Sequence, residues 1–380
     1  MGKIYYFDNA ATSHPKPEEV AVCVYNYIKN LSANPGRSSH KLAIESAKIV
    51  FNARENIAEI LNYSDSEHFI FTLNATDSIN IVLNGYLKKG DFVLTTFLEH
   101  NSVLRPLKLL EKTKGIKFDF IKFSKKDGID FNDFYEKLKE KVPSLVVINH
   151  ASNVTGKIVD LDKILELKDK FKFKLLIDGA QTGGIYKYNL EEQPIDFIAF
   201  TGHKSFYGPQ GIGFLFIRDY EDLLPLRCGG TGSFSEEIVQ PEFLPDKFES
   251  GTLNVPGIAG LNAGINFVKN IGFENIYSYK KKLVNYFIEN LKKISQINLY
   301  SDTNNNSGIV SFNLKNIPPS EVARILDKDF NIAVRPGLHC APLIHKCLET
   351  YPQGCVRFSF SHFNTIDEID YCINALKKIK

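Results

Sequence analysis

The 380-residue chain reads as an α/β fold built on a mostly parallel sheet covered by helices, and three observations lead there. Between residues 69 and 217, short apolar, β-branched or aromatic runs alternate with amphipathic stretches, as strands and helices taken in turn must. The runs at 145–148 and 175–177 are continuously apolar, the signature of strands buried on both faces. An acid and a lysine, Asp178 and Lys204, follow two such runs, at the strand ends outside which ligands sit in open α/β sheets.

In order, strands are predicted at 69–72, 91–96, 116–122, 144–149, 173–177, 196–200 and 212–217. Helices are predicted at 76–88, 101–113, 131–141 and 160–170. Residues 225–257, punctuated by Gly229, Gly230, Gly232, Pro241, Pro245, Gly251 and Pro256, form an irregular excursion with room for a short hairpin. One helical stretch (258–295) follows, then a strand at 308–314, a helix at 319–328, a strand at 331–335 and a last helix at 366–378. This tail reads as a second, α+β domain, with the asparagines at 304–306 as a turn tip.

Composition narrows the function. The charge of 46 − 44 = +2 gives no electrostatic case for nucleic acid or an anionic membrane as partner. Hydrophobic content of 43% and charged content of 24% exclude disorder, collagen and coiled coil. The start, MGKIYYFDNAAT, has no apolar signal core, Tyr6 breaks the myristoylation pattern, and apolar runs such as 145–148 and 214–217 are far below the ~20 residues of a membrane span. A cytoplasmic chain is predicted. Its cysteines (23, 228, 340, 347, 355, 372) are too sparse for a disulfide scaffold and read as reduced, with one candidate reactive thiol.

The strongest chemical signal is Asp178 and Gln181 in LLIDGAQ with Lys204 in TGHKSFYG. A carboxylate and a lysine brought to one sheet edge are what a pyridoxal phosphate site needs: the lysine to form a Schiff base, the acid to keep the pyridinium nitrogen protonated. A capping acid and a solvated lysine are the competing reading. In TLNATDSIN (72–80), a helix N-terminus at Asn74, Ala75 and Thr76 can bind phosphate through backbone N–H groups, or simply be capped. His100 and Asn153 follow strand ends, where a ring can stack on a cofactor and an amide can reach a cofactor or substrate oxygen; each also suits an ordinary turn. Cys340, in RPGLHCAPLIHKC beside His339, is a candidate nucleophile whose neighbouring imidazole would favour the thiolate. Arg357 is a candidate carboxylate clamp or a surface ion-pair residue. Gaps of six and seven residues between Cys340, Cys347 and Cys355 match no common zinc pattern, so no metal is expected.

Taken together, DNAAT (8–12), NPGRSSH (34–40), NATDSIN, EHNS, SNVTG, DGAQ, GHK, FESGTLN (248–254), RPGLHCAP and VRFSFSHFNT resemble, in order and over nearly the whole chain, the cysteine desulfurases of the class V aminotransferase fold. The R-x-G-x-H-C-A loop resembles the branch with the SUF-type desulfurases and selenocysteine lyase-like proteins. The resemblance implies the type I fold of pyridoxal phosphate-dependent transferases. A large domain (16–262) would hold a mostly parallel seven-stranded sheet, and a small domain (1–15 and 263–380) the cysteine loop. It implies pyridoxal 5′-phosphate on Lys204, with Asp178 at its pyridinium, Gln181 at its phenolic oxygen and His100, counted as catalytic, stacked on its ring. Thr76, Thr201 and His203, with Ala75 backbone, would hold the phosphate, and Thr252 would reach the other subunit's phosphate in a homodimer. Arg357, Asn153 and Arg335 would bind the substrate. Lys204 would move the α-proton of L-cysteine, and Cys340 would take the sulfur as a persulfide for a protein or small-thiol acceptor, leaving alanine. Pro336 and Leu338 depart from the family pattern, Leu338 standing where relatives often carry a second histidine. Cys347 and Cys355 read as core cysteines, with persulfide acceptance as the alternative. Selenocysteine cleavage, another class V activity and a non-catalytic sulfur-relay role are the competing functions. The relay role is disfavoured because Lys204, Asp178 and Cys340 are all present.

Overall fold

The computed structural model describes residues 2–36 and 38–379; Arg37 of the 34–40 motif lies outside the described residues. In chain order the elements begin with β1 (Tyr5–Tyr6), α1 (Glu18–Asn30), α2 (Lys41–Leu61), β2 (Phe69–Thr72), α3 (Ala75–Tyr86), β3 (Phe92–Thr96), α4 (Asn101–Lys114) and β4 (Lys117–Ile121). The small hairpin β5 (Phe123–Ser124) and β6 (Gly128–Ile129) follows, then α5 (Phe131–Glu140), β7 (Leu145–Asn149), α6 (Leu161–Phe171), β8 (Lys174–Asp178), β9 (Phe197–Thr201) and β10 (Gly213–Ile217). The remainder is α7 (Val255–Ile271), α8 (Phe273–Leu291), β11 (Ile297–Leu299), β12 (Ile309–Leu314), α9 (Pro319–Phe330), β13 (Ile332–Ala333), β14 (Arg335–Gly337), α10 (Pro342–Cys347), β15 (Cys355–Ser359) and α11 (Ile366–Lys378).

Seven strands form the main sheet in the order β2-β10-β9-β8-β7-β3-β4. Only β10 runs against the rest, so the sheet is mostly parallel, as predicted. Side chains of a strand alternate between faces. Along β7, Val146 and Ile148 enter one buried core while Leu145 and Val147 enter the other. A strand with two dry faces has no position for a polar residue, and this explains the apolar runs. A second sheet, β11-β12-β15-β14, carries its own core against α8, α9 and α11. Tyr5–Tyr6 pairs with Ile332–Ala333, tying the N-terminus to this second unit.

Several expectations are corrected. The 225–257 excursion contains no strand pair, and its last residues already belong to α7. The single helix expected at 258–295 breaks at Gly272, whose φ of +88° suits glycine and which ends α7 and opens α8. α7 runs through residue 262 and buries Ile265 and Val268 in a main-sheet core, so the expected domain boundary falls inside a helix. The strand expected at 331–335 is two, β13 and β14, in different sheets.

The 304–306 asparagines are not simply a turn tip, because Asn306 is buried. Its Nδ2 donates to the carbonyls of Asp302 (3.0 Å) and Ile309 (2.9 Å), and its Oδ1 accepts from the N–H groups of Gly308 (2.8 Å) and Ile309 (2.9 Å). Gly156 takes a left-handed φ of +77° beside it, where a Cβ would come within 2.6 Å of that amide. Asn306→Ala should cost about 2–3 kcal/mol by leaving buried backbone groups unpaired. Exposed Asn304→Ala should stay within about 0.5 kcal/mol. Urea midpoints of the two variants check this, and equal midpoints would refute the buried role.

Candidate active site

Five parallel strands of the main sheet end at one edge, in Thr72, Thr96, Asn149, Asp178 and Thr201. The residues just beyond those ends meet in one cavity of about 290 Å³. Ala75, Thr76, His100, Asn153, Asp178, Gln181, Thr201, His203 and Lys204 all line it, joined from the second sheet by Arg335 and Arg357. Every site residue predicted from sequence thus lies at this cavity except Cys340 and Thr252. A larger cavity, about 760 Å³, surrounds the buried Arg54–Glu249 pair. Glu249 there also accepts from the Phe71 N–H at 2.6 Å, so this pair is bonded within the protein.

The cavity is a low-dielectric site with fixed charges. Burial lowers the Lys204 amine to about 8, with Asp178 opposing and the Arg357 and Arg335 guanidiniums adding to the shift. Burial raises the Asp178 carboxyl, offset by the Ala180 N–H at 2.9 Å and by Lys204. Beneath it lies Glu99, an acid to which sequence reading assigned no role although it lies in the EHNS motif. Fully buried, it is pushed up to about 8 despite accepting from Asn149 N and Thr96 Oγ1, each at 2.8 Å. Asp178, which faces Lys204, adds to that rise.

His100 caps α4: Ser102 N–H donates to Nδ1 at 3.0 Å, so the ring proton sits on Nε2. Burial and the nearby cations hold the ring neutral, its pKa down to about 4. His203 is lowered likewise, to about 4. Its Nδ1 and Thr201 Oγ1 are buried without partners, close to the first turn of α3. Unpaired buried polar atoms beside a helix N-terminus form a place for an anion. Gln181 Nε2 donates to the Ala10 carbonyl at 3.0 Å, so DNAAT forms part of the wall.

Arg357 is fully buried rather than on the surface. It donates to Asp8 Oδ1 at 2.7 Å and to the Asn153 carbonyl at 3.0 Å, while its Nε has no partner. Sequence reading missed Asp8 as its counter-ion, since 349 positions separate the two. Asn153 Nδ2 donates to the His339 carbonyl at 2.7 Å, and its Oδ1 is unpartnered.

Cys340 is exposed at the rim, with Arg335 Nη2 3.7 Å from its Sγ. His339 and Cys340 both take left-handed backbone, φ +50° and +58°, unusual for two successive non-glycine residues. The strain is held by Asn101 N–H on the Cys340 carbonyl (2.7 Å) and Ala341 N–H on the Leu338 carbonyl (2.9 Å), besides the Asn153 bond. The expected imidazole–thiol pair is corrected: His339 Nε2 is bonded to the Arg335 carbonyl at 3.0 Å, and burial drives its pKa far down. The cation beside the thiol is Arg335. Pro336 does not disturb this, because it sits paired with Val356 in β14. Cys347 is exposed, contrary to the core reading, and Cys355 is buried, in keeping with it. Thr252 is exposed with Asn34 Nδ2 3.5 Å away and does not line this chain's cavity.

The sequence matches the aminotransferase class-V family over residues 5–372. It is 34% identical to a probable cysteine desulfurase of Pyrococcus abyssi, covering 99% of this chain and 94% of that protein. Another of that name, from Borreliella burgdorferi, is 34% identical over 99% and 92%. Among solved structures, an apo cysteine desulfurase from Thermococcus onnurineus superposes with a TM-score of 0.91 at 32% identity, covering 98% of this chain and 94% of that one. One from Escherichia coli, carrying an S-sulfonic acid, gives 0.88 at 27% over 98% and 94%.

If Lys204 has the depressed amine described, cofactor-free protein should recombine with pyridoxal 5′-phosphate at a rate that rises with pH and levels off above about 8. Stopped-flow absorbance checks this. A rate still climbing at pH 10 would mean an ordinary lysine.

Proposed function

The chain belongs to the class-V aminotransferase family, and from that membership and the geometry of the cavity we propose that it is a cysteine desulfurase, taking sulfur from L-cysteine onto Cys340 and releasing L-alanine. One observation carries the reading: Lys204 and Asp178 line one cavity with Arg335, and Arg335 Nη2 lies 3.7 Å from the exposed Cys340 Sγ just outside it.

The family depends on pyridoxal 5′-phosphate, and the residues fit it. The unpartnered Thr201 and His203 atoms at the α3 N-terminus suit its phosphate, with Thr76 and Ala75 beside them. Asp178 suits its ring nitrogen, Gln181 its phenolic oxygen, and the neutral His100 ring one of its faces. When bound, the group supplies a carbonyl carbon for amines and an electron-poor ring that acidifies the α-hydrogen of an amino acid.

The chain's own residues supply the rest. Arg357 Nε, Asn153 and Arg335 hold the substrate carboxylate and so aim its sulfur at the rim. An amine with a pKa near 8 lets Lys204 accept the α-proton and return it close to neutral pH. The Cys340 sulfur, 3.7 Å from Arg335 Nη2, attacks the substrate sulfur: an S–S bond forms and the Cβ–S bond breaks. The balance is cysteine plus thiol giving alanine plus persulfide. An outside thiol, on a partner protein or a small molecule, then takes the terminal sulfur.

Thr252 stands outside this chain's cavity, which suits a residue that completes the phosphate site of a second copy in a homodimer. The reduced cysteines suit the cytoplasm, and among the described residues no helix is long and apolar enough to cross a membrane.

Cys340→Ala should keep the visible absorbance of the bound cofactor and lose alanine and sulfide formation from L-cysteine, assayed with a thiol reductant. Undiminished turnover would remove Cys340 as nucleophile. L-selenocysteine run in parallel reads the competing specificity, and turnover of it alone would overturn the cysteine assignment. Arg357→Lys keeps a cation for Asp8 but loses the planar fork, so KM for cysteine should rise about 10-fold or more while cofactor content stays constant. An unchanged KM would argue against carboxylate binding there.

A further inference from the structure

Three side chains that the proposed mechanism does not use converge next to the cysteine loop. His339, His345 and Cys355 are all buried, and one donor atom of each lies within 4.8 Å of the other two. Both histidines have their other nitrogen tied outward. His339 Nε2 is 3.0 Å from the Arg335 carbonyl, which can only accept, so Nε2 carries the proton. Its Nδ1 then offers a lone pair, 4.0 Å from Cys355 Sγ. His345 Nδ1 is 2.7 Å from Thr350 Oγ1, and that hydroxyl donates to the His345 carbonyl at 3.3 Å. The hydroxyl therefore accepts from Nδ1–H, and Nε2 is left with a lone pair in a fully buried ring, without a hydrogen-bond partner. The Leu338 carbonyl acts on this ring but falls short of bonding geometry with Nε2, and it already accepts from Ala341 N–H at 2.9 Å.

An imidazole that donates one N–H to a carbonyl or hydroxyl and turns the other nitrogen inward is held as metal-bound histidines are held. Two such nitrogens and one thiol make a soft set of three donors. Bonds of roughly 2.0–2.3 Å would place those atoms about 3.5–4 Å apart, so the trio needs to draw in by no more than about 1.3 Å. Charge selects the ion. The Arg357 and Arg335 guanidiniums act on His339, and Arg357 acts on Cys355. A dication bound to one thiolate would leave a net positive charge buried beside them, whereas a monocation and a thiolate cancel.

We propose that His339, His345 and Cys355 form a buried three-coordinate site for one monovalent, thiophilic cation, the chemistry of Cu⁺. Binding replaces the Cys355 S–H bond by a metal–sulfur bond and releases one proton to solvent, with no change in oxidation state. Because His339 directly precedes Cys340, an ion there would also pin the loop that carries the nucleophile.

The test uses the cofactor-loaded, reduced protein under argon, titrated with Cu⁺ against a chromophoric Cu⁺ chelator and examined by copper K-edge absorption. One equivalent should be withheld from the chelator in wild type, in Cys340→Ala and in Cys347→Ser. The spectrum should show three ligands, two nitrogen and one sulfur, and Zn²⁺ in excess should not displace the copper. His345→Gln and Cys355→Ser should each weaken binding more than about 100-fold. Retention in Cys355→Ser, loss in Cys340→Ala, sulfur-only coordination or displacement by Zn²⁺ would each overturn the proposal. If either weakened variant fails to fold by circular dichroism, the wild-type ligand count decides alone.

Discussion

The buried guanidinium of Arg357 holds the site together. It sits on β15 of the second sheet, pairs with Asp8 from the N-terminus and bonds the Asn153 carbonyl beyond β7 of the main sheet. A fully buried cation is tolerated only where its bonds are made, and breaking one partner away typically costs about 3–5 kcal/mol. That penalty fixes three remote chain segments in one geometry. It does so with one Nε left unbonded at the cavity, so the group that orders the site keeps capacity for a ligand.

Around that cation the electrostatics divide between two carboxyls. Glu99 has burial without a cation and is pushed up to about 8; burial raises Asp178 as well, but Lys204 and an N–H donor oppose it. The same burial depresses Lys204 and neutralises His100 and His203. A single cause, removal of water at the sheet edge, thus lowers the amine and both rings and raises both carboxyls.

The cysteine loop faces both ways. Its two left-handed residues turn the Cys340 thiol to the rim beside Arg335, while the ring of His339 is drawn inward to the Arg335 carbonyl and Cys355. Backbone strain of this kind persists only where surrounding bonds outweigh it. Here those bonds come from α4, from Asn153 and from within the loop. The placement of the Cys340 thiol and the buried His/Cys cluster are therefore two outcomes of one backbone conformation.

By itself the sequence determined the elements whose pattern is local. The two-faced burial of β7 and β8 is written in continuous apolar runs, and Lys204, Asp178, His100 and Thr76 were legible because each ends a strand or follows one by a few residues. Only tertiary structure decided what depends on distant partners. Asp8 meets Arg357 across 349 positions. Asn306 in a run of asparagines is buried by contacts with residues 155–157 and 302–309 rather than left at a turn tip. The ring beside Cys340 in sequence points away to Cys355, because a left-handed turn separates chain neighbours in space. Spacing counts of cysteines did not show the cluster of His339, His345 and Cys355 for the same reason: a cluster that mixes residue types from a strand, a helix and a turn has no period to read.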